Sequence, residues 1–394
     1  MILRKRVKKI KFRHILLLLL FLFLIPSVVV VVRAEDDAQG KLNENVLEQL
    51  DQLDFADLEE YLQSIDMASG SVKDRLLDYI NGGGFSQETF FKGMSDVFFS
   101  GVKRMLPSFA SIVAIALLCA LINSLQSRFL GQSTAKIIFF VAYLGALIPL
   151  FGVLSECIFT ARDTVLHLKT QMELIFPLML TLMAASGGSV SVSIFHPAVV
   201  FLSNGLVTII SDIVFPFTVV IIVFSIAGKM FGELKTDKFA AFFKSINKWI
   251  MGVGVSVFGL FFTVQGITAA TYDGILRRTA KYAIGTGVPI VGGLLSGGFD
   301  LAVAGSILIK NALGNFSLFL LVGVLFEPLL LLISVNLLLR LTSAITQPFG
   351  DSKISSFLDE TAQNLNYCTA GMLFTAFLYF VAILLLVSSS EMFL

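Results

Sequence analysis

The sequence predicts an all-α polytopic membrane protein of about seven transmembrane helices. Two glycine-rich hairpins, re-entrant or short, belong to an internal repeat, and a small extracytoplasmic helical region precedes them. Three observations predict this class. Of 394 residues, 56% are hydrophobic and only 14% charged, and the mean hydropathy is +0.86; that composition suits burial in lipid rather than a soluble enzyme. Apolar runs of spanning length recur from residue 107 onward. One stretch, Thr279 to Gly314, is apolar yet carries eight glycines with Pro289, Asp300 and Lys310. Backbone so rich in helix breakers is tolerated at membrane depth where it is buried in protein or lines a cavity.

Residues 1–34 read as a signal peptide. Arg4 to Arg13 is basic, Ile15 to Val32 is apolar, and Val32-Arg33-Ala34 precedes the polar Glu35. Cleavage after Ala34 and an uncleaved anchor both remain open, and either one sends Glu35 outward. Residues 35–106 form the acidic extracytoplasmic region, where carboxylates outnumber lysine and arginine. Helical spacing groups Leu42, Val46, Leu47, Leu50 and Leu53, then Phe55, Leu58, Tyr61, Leu62 and Ile65, then Val72, Leu76, Leu77 and Ile80. Such a short segment has a marginal core of its own, so these helices are expected to pack on a partner or on the membrane face.

Residues 107–136 hold the first span, Pro107 to Ser124, and a basic loop with Arg128 and Lys136. Residues 137–231 are membrane repeat one: a span to Leu154, an amphipathic charged stretch from Ser155 to Gln171, a short apolar hairpin, and a span from Ile213. Residues 232–248 read as a lysine-rich, amphipathic cytoplasmic loop. Residues 249–339 are repeat two, with spans from Trp249 and from Ser317, and residues 340–394 hold an amphipathic segment and the last span. Four landmarks relate the copies: Pro177 and Pro289, Pro216 and Pro328, Asp163 and Asp273, and Ser186-Gly187-Gly188 and Ser296-Gly297-Gly298. Each hairpin then has Ser-Gly-Gly at its turn. A common orientation of both hairpins places Arg277, Arg278 and Lys281 outside, against the positive-inside rule.

The candidate pathway or hairpin residues follow from these positions. Glu327 lies inside a span, where a carboxylate marks a functional site by default or serves as a bonded or protonated structural acid. Asp300 lines a pathway or caps a helix beginning at Leu301. Lys310, beside Asn311, snorkels from a helix end or faces a polar pathway with Glu327. Pro289, Gly292, Gly293, Gly297 and Gly298 shape the second hairpin; Gly187, Gly188 and His196 belong to the first. Asp212 reads as the N-cap of a span. Cys119, Cys157 and Cys368 have no disulfide or metal spacing and read as small buried residues.

LDFADLEEYL (Leu53 to Leu62), TAKYAIG (Thr279 to Gly285), VPIVGG (Val288 to Gly293) and IKNALG (Ile309 to Gly314) carry a resemblance. Through them the chain resembles the stage III sporulation protein AE family of endospore-forming bacteria. The resemblance implies a role in a channel or secretion apparatus in the mother-cell membrane around the forespore. The implied partners are other stage III sporulation membrane proteins, a secretion-type ATPase and ring-forming subunits. The family supplies no catalytic residues to carry over, and it does not explain the basic start, Arg4 to Arg13.

No phosphate-binding loop, HExxH, GxSxG or CxxC motif occurs. Neither an enzyme nor a bound cofactor or metal is therefore expected, and nothing in the charge pattern points to nucleic acid; membrane lipid is the surrounding medium. The expected function is a permease-like or pore-forming subunit of a multi-protein channel. A non-conducting scaffold and a self-contained secondary transporter are the alternatives.

Overall fold

The computed structural model describes residues 36–65, 67, 70–81, 132–231, 236–254, 256–260, 292–349 and 352–388, with isolated residues between 103 and 117 and residue 279. Among them there is helix and no strand. Three short helices come first: α1 (Asp36–Asp51), α2 (Ala56–Ser64) and α3 (Val72–Ile80). Their apolar stripes largely match the spacing in the sequence, since Val46, Leu50, Leu58, Tyr61, Leu62, Val72 and Leu76 are buried, while Leu47, expected with them, is exposed. Ser71 caps α3, its hydroxyl accepting from the Lys73 N–H at 3.2 Å and donating to Glu59 at 3.0 Å.

The long helix α4 (Gln132–Ala185) follows and carries Pro149 and Pro177 within it. It ends at Ser186-Gly187-Gly188. There the Gly188 N–H reaches the Met183 carbonyl and the Gly187 N–H the Ala184 carbonyl, both at 2.9 Å, with Gly187 at φ 86°. This is a Schellman stop, and the left-handed residue is a glycine for the usual steric reason. The chain turns back as α5 (189–231), a continuous helix with two π-helical segments, Phe201–Leu206 and Ile210–Val214. Helix α6 covers 237–254 and 256–260, α7 is Gly292–Thr346, and α8 is Ser352–Ser388. Helices α4, α7 and α8 pack together, α5 and α6 lie beside α8, and the short helices rest on α7 and α4.

Four segments are long and apolar enough to cross a membrane: Leu147–Ala185, Ser189–Gly228, Asp300–Thr346 and Ser355–Ser388. The expected spans Pro107 to Ser124 and Trp249 to Gly266 lie partly or mostly outside the described residues.

Several expectations need correction. Ser296-Gly297-Gly298 is no turn; it lies inside α7, as do Gly292 and Gly293. The apolar arm from Phe176 to Ala185 is the end of a 54-residue helix rather than a stub. Residues 237–248 are helix and not loop. Asp212 sits in a π turn in mid-helix and so is not an N-cap. An interior glycine costs a helix roughly 1 kcal/mol, less than one buried leucine contributes, so a long packed helix can run through it. Gly314 shows the gain, because a Cβ there would collide with Val387 of α8.

Candidate functional site

The sequence-predicted residues scatter along the bundle. Lys310 is fully buried, and its ammonium donates to the carbonyls of Leu386 at 3.0 Å and Val387 at 2.7 Å. A helix leaves its last carbonyls without intrahelical partners, and its C-terminus attracts a cation. Lys310 therefore closes the end of α8; it neither snorkels nor faces Glu327, which lies about 25 Å further along the same helix. Asn311 beside it is half-buried. Asp300 is exposed and inside α7, so it does not cap a helix at Leu301. Glu327 is exposed on α7, one residue before Pro328. His196 is exposed on α5, while Gly187 and Gly188 form the α4–α5 turn. Pro289 and Asp273 lie outside the described residues.

The structure instead gathers polar groups where α5, α6 and α8 meet. The Glu360 carboxylate accepts from the Ser225 hydroxyl at 3.2 Å and from the Lys244 ammonium at 3.3 Å. Asn364, one turn along α8, donates to Ser225 at 3.0 Å. The buried Asn247 of α6 donates to the Val214 carbonyl and the Thr218 hydroxyl of α5, each at 3.2 Å. On the opposite side of α8, Asn336 donates to Asn366 at 3.1 Å and to the Ala362 carbonyl. Arg340 holds Asn336 at 2.8 Å and stands 4.0 Å from Asp359. Two faces of one helix, Glu360/Asn364 and Asp359/Ala362/Asn366, thus carry polar ties to three neighbours. The Asn247 and Asn364 ties are buried, where unpaired polar groups are costly, whereas the Arg340 contacts are exposed. Sequence reading missed the cluster because Lys244 looked like a loop charge; the available signal was the i, i+4 pair Glu360 and Asn364.

Two further polar contacts join distant segments. Arg162 of α4 lies 3.6 Å from Asp212 of α5, both about half exposed. Gln171, fully buried on α4, donates to the Tyr61 hydroxyl of α2 at 3.2 Å and to the Leu320 carbonyl of α7 at 3.4 Å. Burial, first, and the charge of Asp163 push the Tyr61 phenol up to about 12, against a lowering by its Gln171 hydrogen bond. Tyr61 is thus a neutral anchor for the acidic helices.

Fold and interior together define an α-helical, membrane-associated protein whose apolar helices are tied by internal polar contacts. A family model described as Stage III sporulation protein AE matches residues 71–390. The chain belongs to that family, and with it comes a role in sporulation. It is 26% identical over 323 residues to Stage III sporulation protein AE of Bacillus subtilis (strain 168), covering 82% of this chain and 81% of the relative. No solved structure matches the chain.

Proposed function

We propose that the protein is a non-enzymatic, pore-forming or permease-like membrane subunit of a multi-protein channel between mother cell and forespore. Its partners in this reading are other stage III sporulation membrane proteins, a secretion-type ATPase and ring-forming subunits, and its acidic helices face away from the cytoplasm. The observation that carries the reading is the Glu360–Lys244–Ser225–Asn364 cluster between apolar helices. Lys244 and Glu360 keep 25% and 26% of their side chains exposed, and ionisable groups among membrane helices commonly mark solute or ion pathways. A scaffold is favoured by a different feature, the exposed apolar face of α6 with Phe239, Phe242, Trp249, Val253, Val257 and Leu260.

Solute flux through the full chain, reconstituted in liposomes alone and with its partner subunits, separates the two. Under the pore reading, Glu360→Gln and Ser225→Ala change flux several-fold while assembly with partners persists. Unchanged flux in both variants, or no flux in either preparation, rejects the pore and leaves the scaffold.

A further inference from the structure

The long helices are too long for one bilayer. Asp300–Thr346 has 47 residues, about 70 Å at 1.5 Å per residue, against a hydrocarbon core of about 30 Å. Even a tilt of about 40° leaves such a helix far longer than the core. Where the membrane ends must therefore show in the residues exposed along each helix.

Two helices place that edge alike, and a contact carries it to a third. On α5 the last exposed carboxylate is Asp212, nineteen residues before the helix ends at Phe231. On α7 it is Glu327, nineteen residues before Thr346. On α4, which runs the other way, the same level falls at Arg162, 3.6 Å from Asp212, and the exposed Glu156 lies six residues inside it. Nineteen residues of helix measure about 28 Å, the thickness of the hydrocarbon core. Within those lengths the exposed side chains are largely apolar: Val141, Leu144, Ile148 and Phe151 on α4, Val219 and Val223 on α5, Ile333, Leu337, Leu341 and Ile345 on α7. Lys136 and Lys229 stand near the other ends of α4 and α5, and the exposed Arg340 lies six residues inside that of α7, the bias of a cytoplasmic side.

Beyond the carboxylates the exposed surface changes character. Arg162, Asp163 and Glu173 appear on α4, and Asp300 and Asn315 on α7, beside the exposed apolar Phe159, Leu166, Val200 and Phe201. On α5 the exposed positions include 196, 200, 204, 208, 212 and 216, a constant step of four. In a regular α-helix each such step overshoots a turn by ~40°, so five steps carry a stripe about 200° around the helix. Each π turn takes up one extra residue, about 100°. The two π segments at Phe201–Leu206 and Ile210–Val214 cancel that drift. They keep Asn204, Thr208 and Asp212 on one outer face, while Ser203, Val207 and Ser211 stay buried on the other.

We propose that only the lower ends of α4, α5 and α7 cross the membrane. Their other halves project on the extracytoplasmic side as a hydrated helical head, with α1–α3 packed onto it. The docking of α1 supports this directly: Gln49 donates to the Ala302 carbonyl at 2.9 Å and accepts from the Ser306 hydroxyl at 2.8 Å. That level of α7 therefore sits beside helices whose Glu44, Glu48, Asp57 and Glu60 are exposed. Glu327 and Asp212 become edge residues of the membrane belt, and apolarity beyond them reflects a buried core rather than a second lipid layer. This assignment is independent of whether the protein conducts.

Single substitutions Asn204→Cys, Thr208→Cys, Val219→Cys and Val223→Cys in the full chain test it, with the unsubstituted chain as baseline. The probe is a membrane-impermeant methanethiosulfonate applied to sealed right-side-out and inside-out vesicles from cells making only this chain. Labelling after dissolution in SDS checks that each thiol is present. Thiolate formation needs water, so the head positions should react about ten-fold or more faster than the belt positions, and only from the outer side. Equal protection of all four sites overturns the head and places the stripe against lipid or protein. Labelling of Asn204→Cys or Thr208→Cys from the cytoplasmic side overturns its orientation.

Discussion

Single side chains here decide helix ends and contacts between segments distant in sequence. Lys310 contributes through two carbonyls at the end of α8. Lys310→Met keeps the apolar stem and removes both hydrogen bonds, which should destabilise by roughly 1–3 kcal/mol. Thermal unfolding in detergent should show the lowered midpoint, and an unchanged midpoint would mean that the cap contributes nothing. Tyr61 gives a second case with a defined sign. Its phenol is held neutral in the folded state, with the folded value raised from 10 to about 12. A raised value means that the contribution is complete below pH 10 and is lost as pH climbs through 12. Proteolytic release of α1–α3 should therefore stay flat up to pH 10 and rise between 10 and 12, and Tyr61→Phe should flatten that rise. Neither role was legible in the sequence, because Lys310 and Gln171 acquire their partners 76 and 110 positions away.

Local chemistry and tertiary packing agree in some elements and conflict in others, and that divides what the sequence revealed from what it concealed. The stripes of α1–α3 and the Ser186-Gly187-Gly188 stop were readable, since spacing and a left-handed glycine act within one or two turns. The same Ser-Gly-Gly signature at 296–298 misled, because α7 runs through it. The π segments left no sequence mark except the four-residue step, visible only once exposure is known. Two changes probe these elements. Gly187→Ala, at φ 86°, should cost about 1–2 kcal/mol and lower the thermal midpoint, whereas Gly145→Ala, with open space around it, should not. Deleting Gly205 removes the extra residue of a π turn, so the turn becomes α-helical and His196 keeps its orientation relative to Asp212. Thiol accessibility at positions 196 and 212 should then both persist, and loss at position 196 would show that the π turn does not take up the extra residue.

At the scale of the molecule, one helix serves two surroundings. Residues 302–323 of α7 receive the acidic helices: Gln49 meets Ala302 and Ser306, the Arg75 guanidinium lies 5.9 Å from the Phe316 ring centre, and Met67 approaches Gly323. Residues 336–343 instead meet α8 through Asn366 and Ser355. About 20 Å of helix separates the two regions, beyond the range at which substitutions usually couple. Removing residues 36–81 should consequently act in one place. It uncovers apolar surface and leaves the buried Gln171 amide without its Tyr61 hydroxyl. Backbone hydrogen exchange should accelerate across 161–172 and 302–323 and remain unchanged across 336–343 and 355–366. Acceleration throughout would show instead that the acidic helices hold the whole bundle together. No change anywhere would mean that the docked contacts contribute little, and that the long helices are stable without their cover.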